Sequence, residues 1–286
     1  MQIFALALAL FAAPIAALPA QQTLKPLEDP IDSPFPIHES CNATEQRQLA
    51  TAFKEVISLV EHAKEHILHW GNGSDIYRKY FGDRPSLTAI GAYDIIINGN
   101  SENILFRCDN PDGNCALDGW AGHWRGENAT DETVICDLSY TSRRSLSTMC
   151  SEGYTVSESE TNVFWASDLL HRLYHMPAYG QGLVEHYADG YEGVLEFAKG
   201  NRTEAVHDSE ALQYFALEVY AYDVAVPGVG CVGGETEDSD EQTEDSTQDD
   251  TADDDTATDE TADDDEDEEE IPENCHTHEG GELHCI

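Results

Sequence analysis

Positive charge is scarce in this sequence: 14 Lys and Arg face 57 Asp and Glu, a formal net charge of −43. Such a chain repels a polyanion, so nucleic acid is excluded as a partner, and cations, basic peptides and basic protein surfaces are favoured. Long apolar runs are lacking as well. The longest, Ile3 to Ala13, holds 11 residues, against the ~18 or more needed to cross a bilayer. With the small residues through Ala20 it reads as a secretory apolar region and cleavage zone, although the basic residues that should precede it are missing. The C-terminus has no hydrophobic tail of the kind a lipid anchor requires. The expected chain is therefore exported and does not span the membrane.

What is present suffices for a core: 40% of the 286 residues are hydrophobic, enough for one large domain or two small ones. The eight cysteines are an even number, as expected in an oxidising compartment. Four glycosylation sequons, at Asn42, Asn72, Asn128 and Asn201, agree with export.

The stretch Phe164 to Asp189 carries His171 and His175 four residues apart in a helical pattern, so the two imidazoles share a face. Zinc peptidases with H-E-x-x-H present two nitrogen ligands in this way, and the Glu after the first His activates the metal-bound water. Here that position is Arg172, which stays protonated and has no acceptor for a water proton. Spacing alone is weak, because 12 histidines in 286 residues give roughly half a pair by chance. Context strengthens it: Ser159 or Thr161 is a possible helix cap, Phe164, Leu169, Leu170 and Leu173 recur at helical intervals, and Pro177 stops the helix.

Upstream, a Pro-rich leader from Leu24 to Pro36 precedes a long helix from about Thr44 to Trp70, with Asn42 and Glu45 as a capping box and Gly71 as its stop. Its core stripe is Leu49, Phe53, Val56, Ile57, Val60, Ala63 and Ile67; His62, His66 and His69 fall on the opposite face and read as solvated. The runs Ala92 to Ile97, Ile104 to Cys108 and Thr133 to Asp137 read as strands, and sheet before helix is the order a zincin needs. Cys108, Cys115 and Cys136 sit where strand ends can be stapled, and Cys41, Cys150 and Cys231 complete three bridges. A last helix begins at Asp208 or Ser209, with Leu212, Phe215, Ala216 and Val219 as its stripe, Glu210 and Glu218 riding on it, and Pro227 and Gly228 ending it.

Between Glu235 and Glu270 lie 22 acidic residues with no aromatic residue, a tract that cannot bury a core. It leads into CHTHEGGELHCI, nearly palindromic about Gly280. A turn at Gly280 and Gly281 pairs Cys275 with Cys285 and His276 with His284. With His278 these form a candidate zinc site of nitrogen and sulfur donors, the two cysteines entering as thiolates or as a disulfide. The expected boundaries are a signal peptide over 1–20, a folded domain over 21–231, an acidic spacer over 232–271 and a Cys/His tail over 272–286.

From Cys41 to Ile286 the chain resembles the fungal pH-regulated antigen or zincophore family, which includes a major mould allergen. The resemblance lies in DLLHRLYH (Asp168 to His175), EHYADGYEGVLEFA (Glu185 to Ala198), HDSEALQYFALEVYAYD (His207 to Asp223) and the terminal CHTHEGGELHC. The pieces FRCDNPDGNC and VICD are similar to the cysteine frame of deuterolysin-type zinc peptidases. The resemblance implies an α+β, zincin-like, disulfide-stapled domain and a secreted or wall-associated zinc scavenger that returns metal to a plasma-membrane zinc transporter and contacts host proteins. It also implies His171 and His175 as ligands, with Cys275, His276, His278, His284 and Cys285 as the tail motif. His186 is the favoured third ligand, since imidazole is usual beside two histidines; Asp189, Glu210 and Glu218 are alternatives. Two functions follow: a binding protein that holds zinc, or a peptidase in which Glu185 or Glu210 replaces the missing base.

Overall fold

The computed structural model describes residues 30–200 and 202–231, together with the backbone of 275–277 and 283–285. The leader through residue 29, Asn201, the acidic tract and His278 lie outside the described residues.

Helix α1 (Ala43–Trp70) is the axis of the domain. Asn42 and Glu45 form the reciprocal capping box, and Gly71 ends the helix at φ 56°, a backbone that disfavours side chains. The anticipated stripe is buried apart from Ile57, which is half-buried. Around α1 pack α3 (Ser86–Asn98), α5 (Trp165–His175) and α8 (Ser209–Tyr220), while α2 (Asp75–Phe81) lies against α8 and α7 (Gly190–Lys199). Two short helices, α4 (Asp137–Ser142) and α6 (Pro177–Gly180), complete the helical elements used below.

The run Ala92 to Ile97 is helical, within α3, and not a strand. Ala89, Tyr93 and Ile96 are the buried residues, at helical spacing, and Tyr93 donates to the Leu212 carbonyl at 2.7 Å. Docking of this face against α1 overrides the β-propensity of the isoleucines. The described end of the leader and the residue after it pack onto the domain: Phe35 is buried with its ring 5.1 Å from Phe53, and Ile37 bridges to Phe106.

The sheet comprises β1 (Leu105–Arg107), β2 (Trp120–Trp124), β3 (Glu132–Ile135), β4 (Cys275–Thr277) and β5 (Leu283–Cys285) in the order β1-β3-β2-β5-β4. β1 runs parallel and β2 antiparallel to β3; β5 adds parallel to β2, and β4 closes antiparallel on β5. The β4–β5 register pairs Cys275 with Cys285 and His276 with His284, the pairing the palindrome implies. Disulfides join Cys41 to Cys108, Cys115 to Cys136 and Cys150 to Cys231, so the six domain cysteines do form three bridges.

His66 is not on a solvated face. It is 6% exposed, with Nε2 2.8 Å from Ser74 Oγ and Nδ1 2.9 Å from Asp223 Oδ2, because α8 and the π-turn after it (Ala221–Ala225) cover that side of α1. His62 is half-buried beside Tyr220, and His69 is exposed. Among the described residues these three form no converging donor group.

Candidate metal centre

Residues Trp165 to Tyr174 of α5 are all buried. Neither Ser159 nor Thr161 caps this helix: Phe164 is the cap residue and makes no side-chain bond there. The start is held tertiarily instead, by the Trp165 N–H on the Arg144 carbonyl at 3.0 Å, with Ser167 Oγ donating to the Phe164 and Thr161 carbonyls. Met176 leaves helical geometry and Pro177 opens α6, so the helix stops where the proline predicts.

His171, His175 and His186 bring ligand atoms together. His171 Nε2 lies 2.9 Å from His175 Nε2, which lies 3.1 Å from His186 Nε2. The first imidazole is buried and the other two half-buried, so the group is rooted in the core and open to solvent on one side. A single proton can serve one such pair; a cation at the centre serves all three. Nitrogens bound to tetrahedral zinc at ~2.0–2.1 Å stand roughly 3.3 Å apart, so the residues fit that ion.

The surroundings orient the rings. Gln213 on α8 donates from Nε2 to the Ser167 carbonyl at 3.0 Å, which leaves its Oε1 as the acceptor 3.1 Å from His171 Nδ1. The His171 proton is thereby drawn to Nδ1, and Nε2 offers its lone pair to the centre. His186 comes from the segment between α6 and α7, which is stitched to the start of α8. Glu185 N–H donates to the His207 carbonyl, Ser209 N–H to the Glu185 carbonyl, and the Tyr187 and Ala188 N–H groups to Asp208 Oδ1 at 2.8 and 3.1 Å. Asp208 also caps α8 through Ala211, and burial pushes its carboxyl up to about 7 against these N–H donors, which favour its charge. Ser209 Oγ sits 3.3 Å from His186 Nδ1.

The alternative donors stand outside this group. Asp189 is exposed at the start of α7; Glu210 is buried and accepts the Gly190 N–H at 2.7 Å; Glu218 pairs with Lys79 at 2.6 Å and with the Tyr80 hydroxyl. Glu185, a candidate base, is exposed. The tail donors Cys275, His276, His284 and Cys285 are described as backbone only, and the sequons at Asn42, Asn72 and Asn128 are exposed. A cleft of about 180 Å³ lined by Glu158, Glu160, Asp189 and Glu210 gathers negative charge around the start of α7.

Arg172 turns away to a buried ion pair. Its Nε and Nη2 lie 2.9 and 3.1 Å from the two oxygens of Asp168, and Arg143 adds a third contact at 3.1 Å. Burial opposes ionisation of Asp168, but the two guanidinium groups prevail and hold its carboxyl below the ordinary value. Asp168 and Gln213 escaped the sequence reading. Their signals were an Asp four residues before an Arg on one helix, and a lone amide in an apolar stripe.

A mixed sheet followed by a buried helix with two histidines four apart, and a third imidazole from the next loop, defines a zincin-like, metallopeptidase-type α+β domain. The chain belongs to the HRXXH family, described as "Putative peptidase family", which matches residues 3–234. It is 80% identical over 285 residues to Antigen 1 of Emericella nidulans, covering 100% of both chains. It is 67% identical to Major allergen Asp f 2 of Aspergillus fumigatus (88% of this chain, 84% of that one) and 53% identical to pH-regulated antigen PRA1 of Candida albicans (71% and 68%). These matches place it among the fungal pH-regulated antigens. A solved zinc peptidase from Grifola frondosa is similar at TM-score 0.46 and 17% identity, covering 62% of this chain and 97% of that one.

Proposed function

We propose that this protein is a secreted or wall-associated zinc-binding protein of zincophore type. His171, His175 and His186 form its core site, and Cys275, His276, His278, His284 and Cys285 its tail site. The observation that carries the reading is three imidazole nitrogens 2.9 and 3.1 Å apart beside an arginine committed to Asp168. Zinc supplies a Lewis acid and acidifies bound water when present; of the base such chemistry uses, Arg172 offers nothing. The charge of −43 concentrates divalent cations near the chain. Three disulfides suit an oxidising compartment, and among the described residues no helix is long and apolar enough to cross a membrane. Return of zinc to a plasma-membrane transporter and contact with host proteins complete the proposal.

Calorimetric titration of the full chain should give more than one zinc. His171→Ala with His175→Ala should remove one site, and deletion of Cys275 to Ile286 another. Unchanged stoichiometry in either variant removes that site from the proposal. A peptidase reading draws on Glu210, a buried carboxylate next to Ser209, which touches His186. Chelator-sensitive cleavage of casein that disappears in Glu210→Gln would establish that reading in place of simple binding.

A further inference from the structure

Outside the metal centre, His66 lines up two further groups. Its Nε2 lies 2.8 Å from Ser74 Oγ and its Nδ1 2.9 Å from Asp223 Oδ2. An ionised carboxylate only accepts, so the ring proton sits on Nδ1 and Nε2 turns its lone pair to the serine. Ser74 Oγ accepts the Tyr77 N–H at 3.2 Å as the cap of α2, and its own proton is left to donate to His66. Capping needs the hydroxyl's lone pair alone. The order serine, histidine, acid, with Nε2 toward the serine and Nδ1 toward the acid, is that of a nucleophile, its general base and the group that orients the base.

The three side chains come from α1, the residue before α2 and the π-turn after α8, and none belongs to the metal centre. Ser74 is 9% exposed, but Asn72, Gly73 and Asp75 beside it are exposed, and a Cβ on Gly73 would meet nothing within 4 Å, so the hydroxyl lies just beneath an open surface. Apolar side chains are exposed nearby in the chain: Trp70, one turn beyond His66, and Tyr222 and Val224 on either side of Asp223. We propose that Ser74, His66 and Asp223 form a second site, independent of zinc, that transfers acyl groups from small activated esters with an apolar acyl chain. Ser74 is the nucleophile, His66 its base and Asp223 the positioning residue. Oγ attacks the ester carbonyl carbon while its proton passes to His66 Nε2, and Asp223 stabilises the imidazolium that forms. When the carbon–oxygen bond to the alcohol breaks, His66 returns the proton to the departing alkoxide. Water then hydrolyses the acyl-Ser74 by the same route, giving the carboxylic acid and free serine.

A fluorophosphonate is the probe, applied to the full-length chain: attack by Ser74 forms an oxygen–phosphorus bond, expels fluoride and passes the proton to His66. Peptide mass spectrometry should place the adduct on Ser74, formed at least about 100-fold faster than on any other serine of the chain. His66→Gln should lower that rate about 10²- to 10⁴-fold. Asp223→Asn should lower it as well, and Asp223→Glu, which keeps the carboxylate, should restore part of it, a pattern that a merely structural role would not give. A chelator should leave labelling unchanged, which separates this site from the metal centre. Hydrolysis of nitrophenyl butyrate should fall in step with labelling. No adduct on Ser74, an adduct lost with chelator, equal labelling rates in the wild type and a folded Asp223→Asn chain, or ester hydrolysis undiminished in the fully labelled chain overturns the proposal.

Discussion

At the scale of residues, the boldest feature is Asp168, fully buried between Arg143 and Arg172. Removing its charge strands two guanidinium groups in the core, so Asp168→Asn should cost about 3–5 kcal/mol by urea denaturation. The sign with pH follows from its depressed carboxyl. Its contribution is present above the unfolded value of about 3.9 and is lost as pH falls through the lower folded value, so the gap between wild type and Asp168→Asn should close below about pH 4. Gln213 acts on the histidines rather than on stability alone. Gln213→Ala frees the His171 ring to choose the wrong tautomer and should lower zinc affinity of the core site about 10–100-fold by competition with a chelating dye.

At the scale of elements, α5 and β2 meet through a glycine. A Cβ on Gly122 would stand 2.4 Å from the Val134 carbonyl oxygen and 2.6 Å from Arg172 Nη1. The carbonyl belongs to the β2–β3 ladder and cannot retreat, so Gly122→Ala should destabilise by about 1–3 kcal/mol or more, read as a lowered Tm. The segment bearing His186 depends on α8 in the same way. Asp208→Ala removes the α8 cap and the anchors of Tyr187 and Ala188 together, and should weaken zinc binding along with stability, whereas an ordinary cap loss of about 1 kcal/mol changes stability only. The caps of α1, the stop at Pro177 and the stripe of α8 were legible because they depend on neighbours within four residues. The start of α5 was not, since it hangs on the Arg144 carbonyl, and α3 was misread because its face is chosen by α1.

At the scale of the whole molecule, the proposed function has zinc and protons competing for the same imidazoles. Zinc at 100 times its dissociation constant should stabilise the fold by about 2.7 kcal/mol, and the rise in Tm should vanish with chelator. It should also shrink as pH falls below about 6, where histidine binds protons with an ordinary pKa near 6.5; a Tm shift that persists at pH 5 would exclude histidine ligation. The sequence by itself determined the acidic balance, the even set of cysteines, the two histidines one helical turn apart and the loss of a base at Arg172, because each is a matter of composition or of spacing along the chain. Only the tertiary structure decided that His186 approaches His175, that Gln213 sets the His171 tautomer, that Arg172 is spent on Asp168 and that His66 is buried. Apart from the Arg172–Asp168 pair, which lies one turn apart on α5 and is completed by Arg143 from outside that helix, those contacts join residues on different elements, and their geometry is set by how α1, α5 and α8 pack.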